Sequence, residues 1–439
     1  MSAVVHAGAL KRTLGPAALW GLGVGYVISG EYFGWNLGLP LGGTYGMLAA
    51  TLLVTVMYVC FVLSYAELAC ALPRAGGAFV YADRALGPLW GCLAGYAQAI
   101  EFVFAPPAIA MAIGAYLVQR FTSVDPRALA VLAYLLFTAV NAWGVRQAAL
   151  FELWVTVIAV AELLLFTAVT LPAFDFQAFS AEPLPHGWGG AFAALPFAMW
   201  FYLAIEGVAN VAEEARNPQR DIPFGFGAAL ATLVTLALLV FFAATGVGGW
   251  RAIVYGPHAD QPSDAPLPLA LRLMVGEGSW LYALLLSVGL FGLIASFHGI
   301  LLSSARATME LGRVGYAPRL LGQVHIGSGT PRAALLCNLV VGLLAIASGT
   351  TSEIIILACF GALMVYVTSM ASLLRLRRTE PDLPRPYRAV GYPWATWLAL
   401  VLALVCAVSL AWANPQIACV FAALMALSGV SFKLRVRDD

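Results

Sequence analysis

The chain has 439 residues, of which 62% are hydrophobic and only 10% charged, and its mean hydropathy is +0.87. A soluble domain of this length needs far more surface charge, so a soluble enzyme or a nucleic-acid-binding protein is excluded. The net charge of +1 says nothing about partners.

Apolar runs of about 20 residues recur along the chain, and each is long enough to cross a bilayer core. The fold class is therefore an all-α polytopic membrane protein. The opening MSAVVHAGALKRTLG reads as a short cytoplasmic tail rather than a cleavable signal. Twelve spans are expected, near 17–40, 45–70, 88–118, 128–145, 149–171, 190–213, 223–248, 279–306, 332–348, 353–374, 392–412 and 415–432. With the N-terminus inside, the linkers place 19 Lys and Arg inside and 4 outside, so both termini are expected in the cytoplasm. The longest outside segment, about 249–278, is polar and Pro-rich and reads as a solvated cover with no site of its own.

Span 1 contains GYVISGEYFGWNLGLP, with four glycines and Glu31 inside an otherwise apolar run. Backbone freed in a span is tolerated only where protein or water satisfies it. Span 6 repeats the pattern in FAMWFYLAIEGVANVAEE, with Glu206 and Gly207 near mid-span. Two interrupted helices, each the first of five spans, point to an inverted-repeat transporter with its substrate between the breaks. The expected organisation is a cytoplasmic tail at 1–16, a first repeat at 17–171, a second at 190–374, two added helices at 392–432 and a tail at 433–439. The plain alternative is that the glycines only allow close helix packing.

Carboxylates at mid-bilayer cost about 2.5–3.5 kcal/mol each on insertion scales. Glu31, Glu101, Glu162 and Glu206 lie in spans with no Lys or Arg at matching depth. They are either protonated or awaiting a cation, and the substrate itself can be that cation. Ser29, Gly30, Glu31, Glu101, Trp200, Tyr202 and Glu206 are the substrate-binding candidates. Trp200 would close over a bound amine through its ring face. Glu31 and Glu206 can equally be structural acids capping half-helix N-termini. Glu162 and His298 are proton-coupling candidates, although a hydrogen-bonded core histidine is the simpler reading of His298. Glu67, at the end of span 2, and Glu152, near a membrane face, read as structural. The seven scattered cysteines show no metal-ligand spacing, and no cofactor, metal site or enzyme motif is expected.

Three linker motifs carry a resemblance. They are PRAGGAFVYADRALG after span 2, EEARNPQRDIP after span 6 and SSARATMELGRVGYAP after span 8. In order and topology they resemble the amino acid–polyamine–organocation superfamily. That resemblance implies a five-plus-five inverted repeat and alternating access. Within the superfamily, IEFVFAPPAIA, IEGVANVAEE and GLFGLIASFHGI are similar to bacterial ethanolamine permeases. Amino acid permeases commonly carry G-S-G or G-T-G at the first break, where amides hold a substrate carboxylate. Here Ser29, Gly30 and Glu31 stand there, and the glutamate should repel a carboxylate. Some proton-coupled relatives carry a span-5 lysine at the place of Ala159. The expectation is import of ethanolamine, a small organic cation, through a bacterial inner membrane, with H⁺ favoured over Na⁺ as coupling ion. An amino acid or polyamine permease and a non-transporting amine sensor remain alternatives.

Overall fold

The computed structural model describes residues 14–74, 76–121, 123–143, 149–256, 260–325 and 329–436. Most of the expected N-terminal tail, the end of the C-terminal one and the side chain of Glu152 lie outside the described residues. The described chain is helical, with two isolated bridges, Leu14 to Ala215 and Tyr255 to Pro262. It is a polytopic all-α membrane fold.

Among the described residues, nine helices are long and apolar enough to cross a membrane, and Pro16–Val27 and Arg332–Ser348 are shorter apolar helices. The shortfall against twelve has a physical cause at spans 1 and 6. Span 1 is cut after Pro16–Val27 into a single turn, Ser29–Tyr32, and a 3₁₀ turn, Trp35–Gly38. Span 6 is cut into Gly187–Ala193, Leu195–Met199 and the 3₁₀ segment Ile205–Glu214. Span 9, Arg332–Ser348, is simply short.

Burial ranks the spans. The apolar stretch of span 10, Thr351–Thr379, is 83% buried, whereas that of span 12, Pro415–Arg435, is 6% buried. Span 10 is therefore central, and span 12 spreads its apolar surface toward lipid. Span 3, Pro88–Val118, packs along spans 4, 8 and 10, and span 1 packs along spans 5 and 7. The two broken segments meet at the centre of this arrangement.

Glu67, at the end of span 2, is fully buried and ties three parts of the chain together. Its Oε2 accepts from Arg377 Nη2 and from the Ala389 amide, both at 2.7 Å, and Arg385 Nε pairs electrostatically with Oε1 at 3.3 Å. A buried acid with this many donors has its desolvation offset by charge-assisted hydrogen bonds.

The outer segment 249–278 is more than a solvated cover. It holds the helices Trp250–Val254 and Pro266–Val275, and Leu267, Leu269 and Leu271 are buried. The Ser263 carbonyl accepts from Asn36 Nδ2 at 2.8 Å, and Asp264 Oδ2 accepts from Thr351 Oγ1 at 2.6 Å. The segment therefore pins the outer half of span 1 to the start of span 10. Burial pushes the Asp264 carboxyl up to about 6 from an ordinary 3.8, against the opposing Thr351 hydrogen bond. Because the folded value is raised, the charged form is the one that folding disfavours. Stability should be fully present below about pH 4 and fall as pH rises through 6. Thermal unfolding across that window should show wild-type stability falling with pH while that of Asp264→Asn stays level. Parallel pH curves would remove Asp264 as the cause.

Candidate functional site

The breaks are forced by local backbone chemistry. Phe33 is extended and Gly34 takes φ +91°, so no helix can run through them. In span 6, Ala204 sits in the left-handed region at φ +75° and ends the turn begun at Trp200. Left-handed backbone at a non-glycine residue is uncommon and is held there by its surroundings. The two breaks touch. A Cβ on Gly30 would collide with the Trp200 carbonyl, and one on Gly34 with the Trp200 indole. Gly30→Ala and Gly34→Ala should therefore each lower uptake about tenfold or more, since backbone on the facing side cannot yield and Gly34 also needs its positive φ. Wild-type uptake by both, at matched membrane levels, would show that the breaks need not meet.

A narrow cleft runs between these breaks. It is lined by Tyr26, Val27 and Ser29 of span 1, Ala105 and Ile109 of span 3, Trp200, Leu203 and Ala204 of span 6, and Ile300 of span 8. Trp200 forms one wall, with its ring edge-to-face against Phe33 at 5.6 Å and its buried Nε1–H unpartnered. Ser29 Oγ accepts from Ser296 Oγ at 2.9 Å, and the Tyr26 carbonyl freed by the break also accepts from Ser296, at 3.1 Å.

Three buried carboxyl groups, Glu31, Glu101 and Glu206, lie near the breaks but are not among the residues that line the cleft. Glu31 is fully buried, and neither of its oxygens has a hydrogen-bond partner. It lies within electrostatic reach of Tyr202, whose hydroxyl pairs with Thr55 Oγ1 of span 2 at 2.7 Å. Glu101 and Glu206 are buried and come within hydrogen-bonding reach of each other. Two carboxylates only accept, so this contact is a hydrogen bond only when the pair holds a proton. Glu206 Oε2 also accepts from Tyr366 Oη at 3.2 Å, and Tyr366 meets Tyr58 Oη at 2.9 Å. The Tyr58 and Tyr202 rings lie 5.1 Å apart. Tyrosines from spans 2, 6 and 10 thus bridge the Glu31 side of the site to the Glu101–Glu206 pair.

The remaining candidates lie apart from the cleft. Glu162 of span 5 accepts from Tyr32 Oη at 2.7 Å, and that hydroxyl also approaches the Ala159 carbonyl at 3.2 Å. Tyr116 Oη of span 3 donates to the Tyr32 carbonyl at 3.2 Å. Glu162 is therefore wired to the back of the span-1 break. His298 turns away from the breaks, and its Nδ1 lies 2.8 Å from Asn141 Nδ2 of span 4. Sequence reasoning missed Tyr58, Tyr366, Thr55 and Tyr116. The available signal was a mid-span tyrosine, whose hydroxyl needs a partner when buried in apolar surroundings.

No Lys or Arg among the described ion pairs reaches Glu31, Glu101 or Glu206. The arrangement is a small cleft walled by Tyr26 and Trp200 between two freed backbone segments, with buried acids that lack a basic partner nearby. Comparisons with known proteins agree on the kind of protein that carries it. The amino acid permease family matches residues 14–430. An uncharacterized transporter of Rhizobium meliloti is 30% identical over 90% of this chain and 85% of its own length. A branched-chain amino acid permease of Bacillus subtilis is 24% identical over 92% and 89%. A methylthioribose transporter from the same organism is 27% identical over 90% and 87%. These named relatives are membrane transporters whose cargoes range beyond amino acids, and the chain belongs to the amino acid permease family.

Proposed function

We propose that this transporter imports ethanolamine, or a closely similar small organic cation, by alternating access coupled to protons. The observation that carries the reading is the charge balance at the breaks. Three buried carboxyls, Glu31, Glu101 and Glu206, stand there without a basic partner, and neither carboxyl oxygen of Glu31 has a hydrogen bond. A substrate ammonium would complete that balance, while a substrate carboxylate would meet Glu31 where amino acid carriers present amides. Ser29 and Tyr202 would take the hydroxyl, and Trp200 would cover the cation. Rejection of a plain alkylamine would follow from the unpaired polar groups it leaves behind.

Protons are the favoured coupling ion. Glu162, held by Tyr32 behind the break, is the candidate carrier, because its hydrogen bond reports directly on the position of span 1. Ser296, the natural contributor to a Na⁺ site, already bonds Tyr26 and Ser29. His298 keeps only a structural part, paired to Asn141. We place the protein in a bacterial inner membrane with both termini cytoplasmic, on the strength of the basic-residue bias.

The alternative is an amino acid or polyamine permease, favoured by the relatives named for amino acids. A non-transporting amine sensor would bind ligand without accumulating it. Labelled ethanolamine uptake into proteoliposomes under an inward proton gradient separates the three. Gradient-driven accumulation, blocked by unlabelled ethanolamine and not by zwitterionic amino acids or diamines, is expected. It should be lost in Glu162→Gln while equilibrium binding stays. Uptake of an amino acid in place of ethanolamine would overturn the reading of Glu31, and binding without accumulation would leave the sensor.

A further inference from the structure

Below the acid pair, spans 3 and 6 meet a second time. Gln98 lies one turn from Glu101 in span 3, and Asn210 lies four residues beyond Glu206 in span 6. Gln98 Nε2 donates to Asn210 Oδ1 at 3.3 Å, so an amide pair repeats the acid pair one step nearer the arginine-rich end of the bundle. Buried polar atoms lie beside it. Gln98 Oε1 is buried and unpartnered, and Tyr65 Oη approaches only the Ala78 backbone. Tyr65 and Tyr81 face each other edge-on at 5.4 Å. Buried polar atoms in proteins are rarely left unsatisfied, and one left so marks a place that something polar can occupy.

The wall opposite is bare backbone. Gly77, which precedes the short helix Ala78–Leu86, has φ +53°. A Cβ there would lie 2.8 Å from Asn210 Oδ1, 3.1 Å from Tyr65 Oη and 3.8 Å from Gln98 Nε2. Glycine therefore lets Asn210 and Tyr65 pack directly against this backbone, in a conformation that other residues rarely adopt.

We infer that Gln98, Asn210 and Tyr65, facing Gly77, form a second, inner station that takes the substrate's ammonium group after it leaves Glu101 and Glu206. The chemistry suits release. An ammonium held by two carboxyls is slow to depart, whereas neutral carbonyl acceptors compensate part of its desolvation and hold it weakly. A transport path needs each site to be attractive enough to enter and weak enough to leave. The station rests on the amine reading only through the ammonium group, which zwitterionic amino acids also carry.

The test compares equilibrium binding with transport in purified, reconstituted full-length protein, using labelled ethanolamine. Gln98→Met keeps length and removes the amide. It should bind ethanolamine within about twofold of wild type, because the acid pair is intact, and take it up about tenfold more slowly, the size of effect expected for one lost hydrogen bond. Gln98→Glu should bind more tightly and also transport more slowly, because the inner station then traps the cation. Retained binding certifies folding, and Asn210→Ala provides an independent check if Gln98→Met does not express. Wild-type uptake by Gln98→Met or Asn210→Ala would overturn the station, as would binding and uptake falling together. If wild type binds no ethanolamine but takes up an amino acid, the amine reading fails. The same variants are then read with that labelled amino acid, and the station stands or falls on the same ratio.

Discussion

Glu206→Ala is expected to lower ethanolamine binding by about a hundredfold or more, because truncating one partner of a buried charge pair costs about 2–5 kcal/mol. The loss has three parts. The proposed substrate cation would lose its anionic partner, Glu101 would lose the neighbouring carboxyl, and Tyr366 would lose an acceptor at 3.2 Å. Glu206→Gln should be damaged less, since an amide oxygen still accepts from Tyr366 and its NH₂ can donate to Glu101. The two variants should also differ in pH dependence. In wild type the Glu101–Glu206 contact needs a proton that the substrate's charge competes with, so uptake should vary with pH. In Glu206→Gln the amide makes the contact without a proton, and that dependence should flatten. Binding measured by labelled ethanolamine, with uptake followed from pH 5 to 8, the range over which such sites are ordinarily titrated, checks both points. A Gln variant with wild-type uptake and an unchanged pH profile would reduce Glu206 to a structural acid.

The second large effect concerns folding rather than transport. Glu67→Ala should destabilise the protein by about 3–5 kcal/mol, the range for breaking a buried ion pair from one side. Glu67 is fully buried, and Arg385 and Arg377 are only 5% and 20% exposed at their side chains. Removing the acid leaves two enclosed guanidinium groups and the Ala389 amide facing a void. Arg377 keeps its cation–π contact with the Tyr392 ring at 4.4 Å, which offsets little of the loss. Arg84→Ala is the control. Its bidentate pair with Glu380 lies at the surface, with side chains 49% and 30% exposed, and should be worth about 1 kcal/mol at most. Thermal unfolding in detergent should show a clear drop for Glu67→Ala and almost none for Arg84→Ala. Equal melting of the two would mean that the buried cluster does not hold spans 2 and 10 together.

The span-by-span outline was legible because lipid imposes one strong rule, that every backbone group must be satisfied within the segment. Long apolar runs then have to be helices, and departures from that pattern stand out. Gly30, Gly34 and Glu31 marked the first break, and Glu206 with Gly207 marked the second. The short helices at Ser29–Tyr32 and Leu195–Met199 are the physical result. The outer segment 249–278 was misread because its surface composition hid a contact made through backbone and short side chains, Ser263 to Asn36 and Asp264 to Thr351. Such contacts leave no periodic signature.

The sequence by itself determined that this chain spans a membrane, where its helices are interrupted, and which acids lie too deep to be ordinary surface charge. Only the tertiary structure decided which groups those acids face. Glu101 meets Glu206, Tyr366 reaches Glu206, and Tyr58 reaches Tyr366 from 308 residues away. It also sent Glu162 to Tyr32 and His298 to Asn141, two different partners for similar mid-span polar residues. The reason is rotational. A helix sequence sets the depth of a residue through its rise of about 1.5 Å per residue, but the direction in which the side chain points depends on how neighbouring helices pack against it.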